Sequence, residues 1–205
     1  MSKKLILNEK TTAPSLVLAS TSAYRRDLLS RLGLAFTQIA PAVSETALPN
    51  ELPIQTALRL AEAKARAVAN RASPNALIIG SDQVAEFDGQ PIGKPLTHEN
   101  AAQQLRLLSG KTANFHTALV LLNADNGKTQ AELVSTAVRF RSLSDGQIER
   151  YLRREQPYDC AGSAKVEGLG VALLESVEGA DSTALIGLPL IALVSMLRNE
   201  GIEVP

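Results

Sequence analysis

At 205 residues, with 45% apolar and 20% charged residues, the chain has the length of one globular domain and enough core to need no cross-links. Its 21 Lys and Arg balance 21 Asp and Glu, which argues against a strongly basic nucleic-acid binder and leaves only a local basic patch open. One Cys and two His exclude an internal disulfide, a multi-cysteine zinc site and a His-rich metal centre. No apolar run approaches a membrane span, and Met1 to Lys10 lacks the apolar core of a signal peptide, so the expectation is a soluble cytoplasmic protein with no membrane partner. With four Phe, three Tyr and no Trp, an aromatic platform for nucleic acid is not expected.

Residues 1–13 are polar and read as loose. Leu16-Val17-Leu18-Ala19 is a short apolar run and predicts a buried strand. Ser20-Thr21-Ser22 supplies caps for a helix over 23–32, with Leu28, Leu29 and Leu32 at helical spacing and Gly33 as its stop. A second strand is expected over 36–40. The longest helical pattern covers 54–72, with Pro53 in its first turn and Ser73-Pro74 at its end. Ala76 to Gly80 predicts a third strand ending at Ser81-Asp82. Val84 to Phe87 continues extended toward an Asp88-Gly89 hairpin turn.

Thr97 caps a helix over 98–109. Residues 114–122 and 131–141 read as antiparallel strands around Asp125-Asn126-Gly127. Ser144 and Gln147 form a capping box for a helix reaching Glu155. Residues 158–180 read as glycine-rich and extended, and Pro189 opens a last helix closed by Gly201. Strands alternate with helices, but those after 113 read as antiparallel, so the fold class is α/β with a mixed sheet in a single domain over 1–205.

The common nucleotide motifs fail. Gly110-Lys111-Thr112 resembles the end of a P-loop, but position 105 is Leu. Gly168-Leu169-Gly170 lacks a third Gly, and no G-x-S-x-G elbow occurs. Cys160 reads as a buried structural thiol. What remains is a scatter of polar residues at element ends. Ser20 to Arg26 spans a strand-to-helix turn, where free N–H groups and Arg25 and Arg26 suit a phosphate cradle, or else form a capped helix with solvated Arg. Two adjacent Arg cannot share one narrow helix face. Asp82, after an apolar strand, suits a metal or a water, or simply starts a turn. Lys94 stands between Gly93 and Pro95 on a stiff loop. Lys64 lies among alanines, and Glu45 follows a strand.

Taken in order, L-A-S-T-S-x-x-R-R, P-x-x-x-E, A-x-x-K-A, I-I-G-S-D-Q-V, G-K-P, C-A-G-S, E-G-x-G and G-L-P-L resemble the Maf family of nucleoside triphosphate pyrophosphatases over roughly 15–200. Within it the chain is most similar to the branch acting on 7-methyl-GTP. The resemblance implies cleavage between the α and β phosphates, a divalent cation (Mg²⁺, Mn²⁺ or Co²⁺) and an elongated mixed α/β fold. In that fold two lobes surround a central cleft, as in inosine-triphosphate pyrophosphatases. It implies Asp82 as the proton acceptor that activates water and Glu45 as a carboxylate that, with Asp82, helps hold the metal. It gives Ser20, Arg25 and Arg26 to the triphosphate loop, and Lys64 and Lys94 to the phosphates. Tyr24, Gln83 and Glu167 fall where substrate branches differ.

A triphosphate carries about four negative charges, which two Arg, two Lys, a helix N-terminus and one metal would offset. Methylation at N7 makes guanine cationic, so the Glu167 carboxylate and the Tyr24 ring are the expected readers of the base. The chain departs from the family at Ser44, often Asp, and at Thr117-Ala118, often Thr-Gly. Other readings are the dTTP and UTP branch, which Gln83 and Glu167 oppose, and a nucleotide-binding regulator of cell division acting without turnover. The resemblance permits a homodimer.

Overall fold

Runs rich in Val, Ile, Leu and Thr form a mixed seven-stranded sheet in the computed structural model, which describes residues 14–204. The reading of 1–13 lies outside the described residues. The strands are β1 (Leu16–Ala19), β2 (Phe36–Ile39), β3 (Leu77–Phe87), β4 (Gln90–Ile92), β5 (Thr112–Asn123), β6 (Thr129–Phe140) and β7 (Leu174–Glu178). Their spatial order is β2-β1-β3-β5-β6-β7, with β4 also on β3. β1 runs parallel to β2 and β3, and every later pairing is antiparallel. The helices are α1 (Ala23–Ser30), α2 (Pro53–Ala69), α3 (His98–Leu108), α4 (Asp145–Glu155) and α5 (Leu190–Asn199). The expected α/β class with a mixed sheet is the observed one.

Local chemistry explains most boundaries. Ser22, Thr97 and Ser144 each accept a backbone N–H of the first turn they cap, and Ser144 with Gln147 completes a capping box. Asp88 and Gly89 both take positive φ (52° and 74°), as a tight two-residue hairpin turn requires.

Two expectations fail. Strand β3 does not stop at Ser81-Asp82 but runs unbroken to Phe87, because β5 pairs with it from Leu77 to Glu86 and β4 from Ala85 to Phe87. Asp82 is therefore a mid-strand residue opposite Ala118. Residues 158–180 are extended only in their later part, at β7 (Leu174–Glu178): residues 158–173 fold instead into short 3₁₀ turns at Ala161–Ser163 and Leu169–Leu173.

Packing divides the sheet along its strands. In one half, α2 covers the face of Ile78 and Ala118, while α1 and α5 cover the face of Leu77, Ile79 and Leu119. In the other half, α3 and α4 bury Ala85, Phe115 and Phe140. The seam is a gap. β1 ends at Ala19, opposite Gly80, and β4 joins β3 only from Ala85 onward. Ser81 to Val84 thus have β5 on one side and, among the described residues, no strand on the other. Gly80 lets α2 press onto β3 just before this gap: a Cβ there would lie 2.1 Å from the Ala61 carbonyl oxygen.

Candidate active site

The gap beside Ser81–Val84 opens into a cleft of about 870 Å³. Pleating sends Asp82 to the α2 face and Gln83 to the opposite face. On the α2 face, Lys64 is 5% exposed and Asp82 7%. The Lys64 ammonium bonds Asp82 Oδ1 at 2.6 Å and Glu45 Oε1 at 2.5 Å, so one lysine joins two carboxylates. The two acids shift in opposite directions. Burial pushes Asp82 above the ordinary aspartate value, and Lys64 only partly offsets it. Glu45, with its side chain 58% exposed, is held below the ordinary glutamate value by its hydrogen bond to Lys64.

The turn after β1 delivers the next groups. The Ser20 hydroxyl is buried and accepts the Ser22 N–H at 3.1 Å, which shapes the entry to α1. Arg25 points into the cleft, where its Nε donates to the Gly187 carbonyl at 2.8 Å. Burial lowers its pKa, with Asp82 and Glu45 opposing that shift. Arg26 is not beside it: it is exposed on the far side of α1 and pairs with Asp27 at 3.0 Å. The expected second cradle arginine is therefore a surface residue, as the helical period dictates for neighbours on a short helix. Lys94 is exposed on the opposite lip of the cleft, close enough to help depress Glu45.

The other end of the cleft is mixed apolar and acidic. Phe115, Leu185 and Val166 line it, with Tyr24, Gln83 and Glu167. The Gln83 amide nitrogen donates to Thr117 Oγ1 and to the Ala184 and Leu185 carbonyls at 2.8–3.0 Å. That fixes its orientation and leaves an oxygen to which no described residue donates. Glu167 is exposed on the rim. The Tyr24 ring already has the Lys165 ammonium 5.6 Å from its centre, and burial raises its phenol pKa. Cys160 corrects an expectation. It is half-buried in the cleft wall rather than sunk in a core, though burial lifts its thiol to about 12 and keeps it protonated.

The sequence reading missed several groups. Asp159 lies on the same wall as Glu167 and accepts from the Cys160 thiol at 3.5 Å. Its position just before the C-A-G-S run was the available signal. Asp181 had none: it is buried, accepts the Ile191 and Thr183 N–H groups, and so anchors the loop whose Gly187 carbonyl holds Arg25 and Ser81. The Ala118 methyl faces the α2 core and does not reach the cleft.

Among the described residues no group of three or more His, Cys, Asp or Glu converges as a metal cage. Glu45 and Asp82 nevertheless fit a hard cation in kind. Both are oxygen donors at one point, and each has a second carboxylate oxygen to which no described residue donates. No helix of the described residues is long and apolar enough to cross a membrane.

The family model described as Maf-like protein matches residues 15–200. A 7-methyl-GTP pyrophosphatase of Nitrosospira multiformis is 58% identical over 192 residues, 94% of this chain and 96% of that one. The protein of the same name from Methylobacillus flagellatus is 56% identical over 191 residues, covering 93% and 99%. That from Burkholderia pseudomallei is 57% identical over 190 residues, covering 92% and 88%. A match running from the edge of β1 to just past α5, with relatives this similar along nearly their whole length, makes the chain a member of the Maf-like protein family.

Proposed function

We propose that the chain is a nucleotide pyrophosphatase that hydrolyses 7-methyl-GTP to 7-methyl-GMP and diphosphate. The observation that carries the chemistry is the buried Lys64–Asp82 ion pair, which Lys64 extends to the exposed Glu45, in a cleft that also holds Arg25 and Lys94. The names borne by its relatives support the substrate.

In this reading the α2 face performs the reaction. Asp82 accepts a proton from the water that attacks the α-phosphorus, and its raised pKa makes it a better base than a solvated carboxylate. Lys64 holds one Asp82 oxygen, and no described residue donates to the other. Arg25, Lys94 and the N-terminus of α1 stabilise charge building on the leaving diphosphate. Glu45 and Asp82 are the residues that would hold a divalent cation. That cation, when bound, would neutralise phosphate charge and polarise the phosphoryl oxygen. The opposite face takes the base. Phe115 and Leu185 supply apolar contact, the Gln83 oxygen accepts a base N–H, and Glu167 with Asp159 favours a cationic ring over a neutral one.

The test is diphosphate release from 7-methyl-GTP, GTP, dTTP, UTP and inosine triphosphate with Mg²⁺ or Mn²⁺. The expected result is a preference for 7-methyl-GTP, and a loss of kcat of about 10²- to 10⁴-fold in Asp82→Asn, the usual cost of removing a positioned base. A preference for the pyrimidine nucleotides would overturn the substrate assignment, and full activity in Asp82→Asn would overturn the base.

A further inference from the structure

Lys94 and the acidic wall at 159–167 reach the cleft from distant parts of the chain, and one side chain stands behind both. Gln104, half-buried on α3, donates from Nε2 to the Gly93 carbonyl at 3.0 Å and accepts the Ser163 hydroxyl on Oε1 at 2.7 Å. Only one amide orientation serves both bonds, because the reverse would set two oxygens together at Gly93. Gly93 immediately precedes Lys94. Ser163 is fully buried and sits at φ 57°, directly after Gly162 at 72°. A serine seldom holds this left-handed conformation unless its surroundings impose it. Here the Gln104 bond and the Ser163 N–H bond to the Cys160 carbonyl (3.2 Å) impose it. On either side of this turn, Cys160, Ala161, Ala164 and Val166 face the cleft. A second tie joins the same segments: the Leu96 N–H donates to the Tyr158 carbonyl at 3.0 Å, and the His98 ring lies 3.0 Å from the Tyr158 hydroxyl.

We propose that Gln104 is a positioning residue that couples the phosphate-facing Lys94 to the base-facing wall, so that occupancy of the base seat helps set the lysine. The coupling rests on the pyrophosphatase reading for its two ends, though not for the bridge itself. In such an arrangement, binding energy gained at the base appears in kcat as well as KM.

Two variants separate the arms. Gln104→Leu removes both bonds, whereas Gln104→Glu keeps the acceptor for Ser163 and loses the donor for Gly93. Amide hydrogen exchange on the full chain should rise about fivefold or more at both 93–97 and 160–166 in Gln104→Leu, but only at 93–97 in Gln104→Glu. Diphosphate release completes a double-mutant cycle: Gln104→Leu should lower kcat about tenfold in the wild-type background and hardly at all in Lys94→Ala. Unchanged exchange at either segment of Gln104→Leu, or equal kcat losses in the two backgrounds, would overturn the coupling. If the wild-type chain released no diphosphate, the pyrophosphatase reading would fall and the exchange result alone would decide the bridge.

Discussion

Glu45 and Asp82 share one ammonium, yet their proton equilibria move apart because one side chain faces water and the other the core. The same logic governs the proposed base end, where Glu167 is exposed and any attraction to a cationic ring is screened. Glu167→Gln should therefore narrow the preference for 7-methyl-GTP over GTP only modestly, by up to about fivefold in kcat/KM, the range of an exposed ion pair. A ratio that stays put in steady-state assays would remove Glu167 from recognition. Cys160 gives a second residue-scale expectation. With its thiol at about 12, it should react with iodoacetamide at pH 8 at least about a hundredfold more slowly than free cysteine, despite lining the cleft. Labelling followed by mass spectrometry would measure this, and rapid alkylation would show that the thiolate is accessible.

At the scale of elements, the distance between α2 and β3 determines whether Lys64 can reach Asp82. Gly80→Ala would drive a methyl into the Ala61 carbonyl, one turn before Lys64. The helix must lift, so the variant should lose about 1–3 kcal/mol of stability along with most diphosphate release. Thermal unfolding would register this, and an unchanged Tm would mean that α2 yields without cost.

The loop leading into α2, which carries Glu45, is braced by Glu51. Its two carboxylate oxygens take the Arg59 guanidinium, the Leu48 N–H and the Thr56 hydroxyl, and its pKa falls from 4.5 to about 2. A pKa depressed in the folded state adds stability above the unfolded value. That contribution disappears as pH drops through the folded one. Glu51→Gln should thus be less stable than wild type at pH 7, and the gap should close between about pH 4.5 and pH 2. A gap independent of pH would mean that packing, not charge, holds this loop.

Over the whole molecule, what could be read from sequence followed the range of the forces involved. Helix caps at Ser22, Thr97 and Ser144 and the Asp88-Gly89 turn are decided by neighbours in the chain, and they fell where expected. Strand β3 was misjudged at Ser81-Asp82 because pairing with a distant strand, not local polarity, carries it onward. Arg25 and Arg26 were indistinguishable as letters, and only the docking of α1 against the Gly187 loop separates them. Asp159, Asp181 and Gln104 act through partners that the linear order does not reveal.

The gap beside Ser81–Val84 lies within the sheet rather than at a joint between separate bodies. The walls it separates are bound together by β3, β5 and β6, each of which passes from one core into the other. Opening the cleft must therefore bend or twist three hydrogen-bonded strands at once. The resistance of that ribbon, not the slack of a linker, sets how far the walls can part to admit the proposed substrate and release what it becomes.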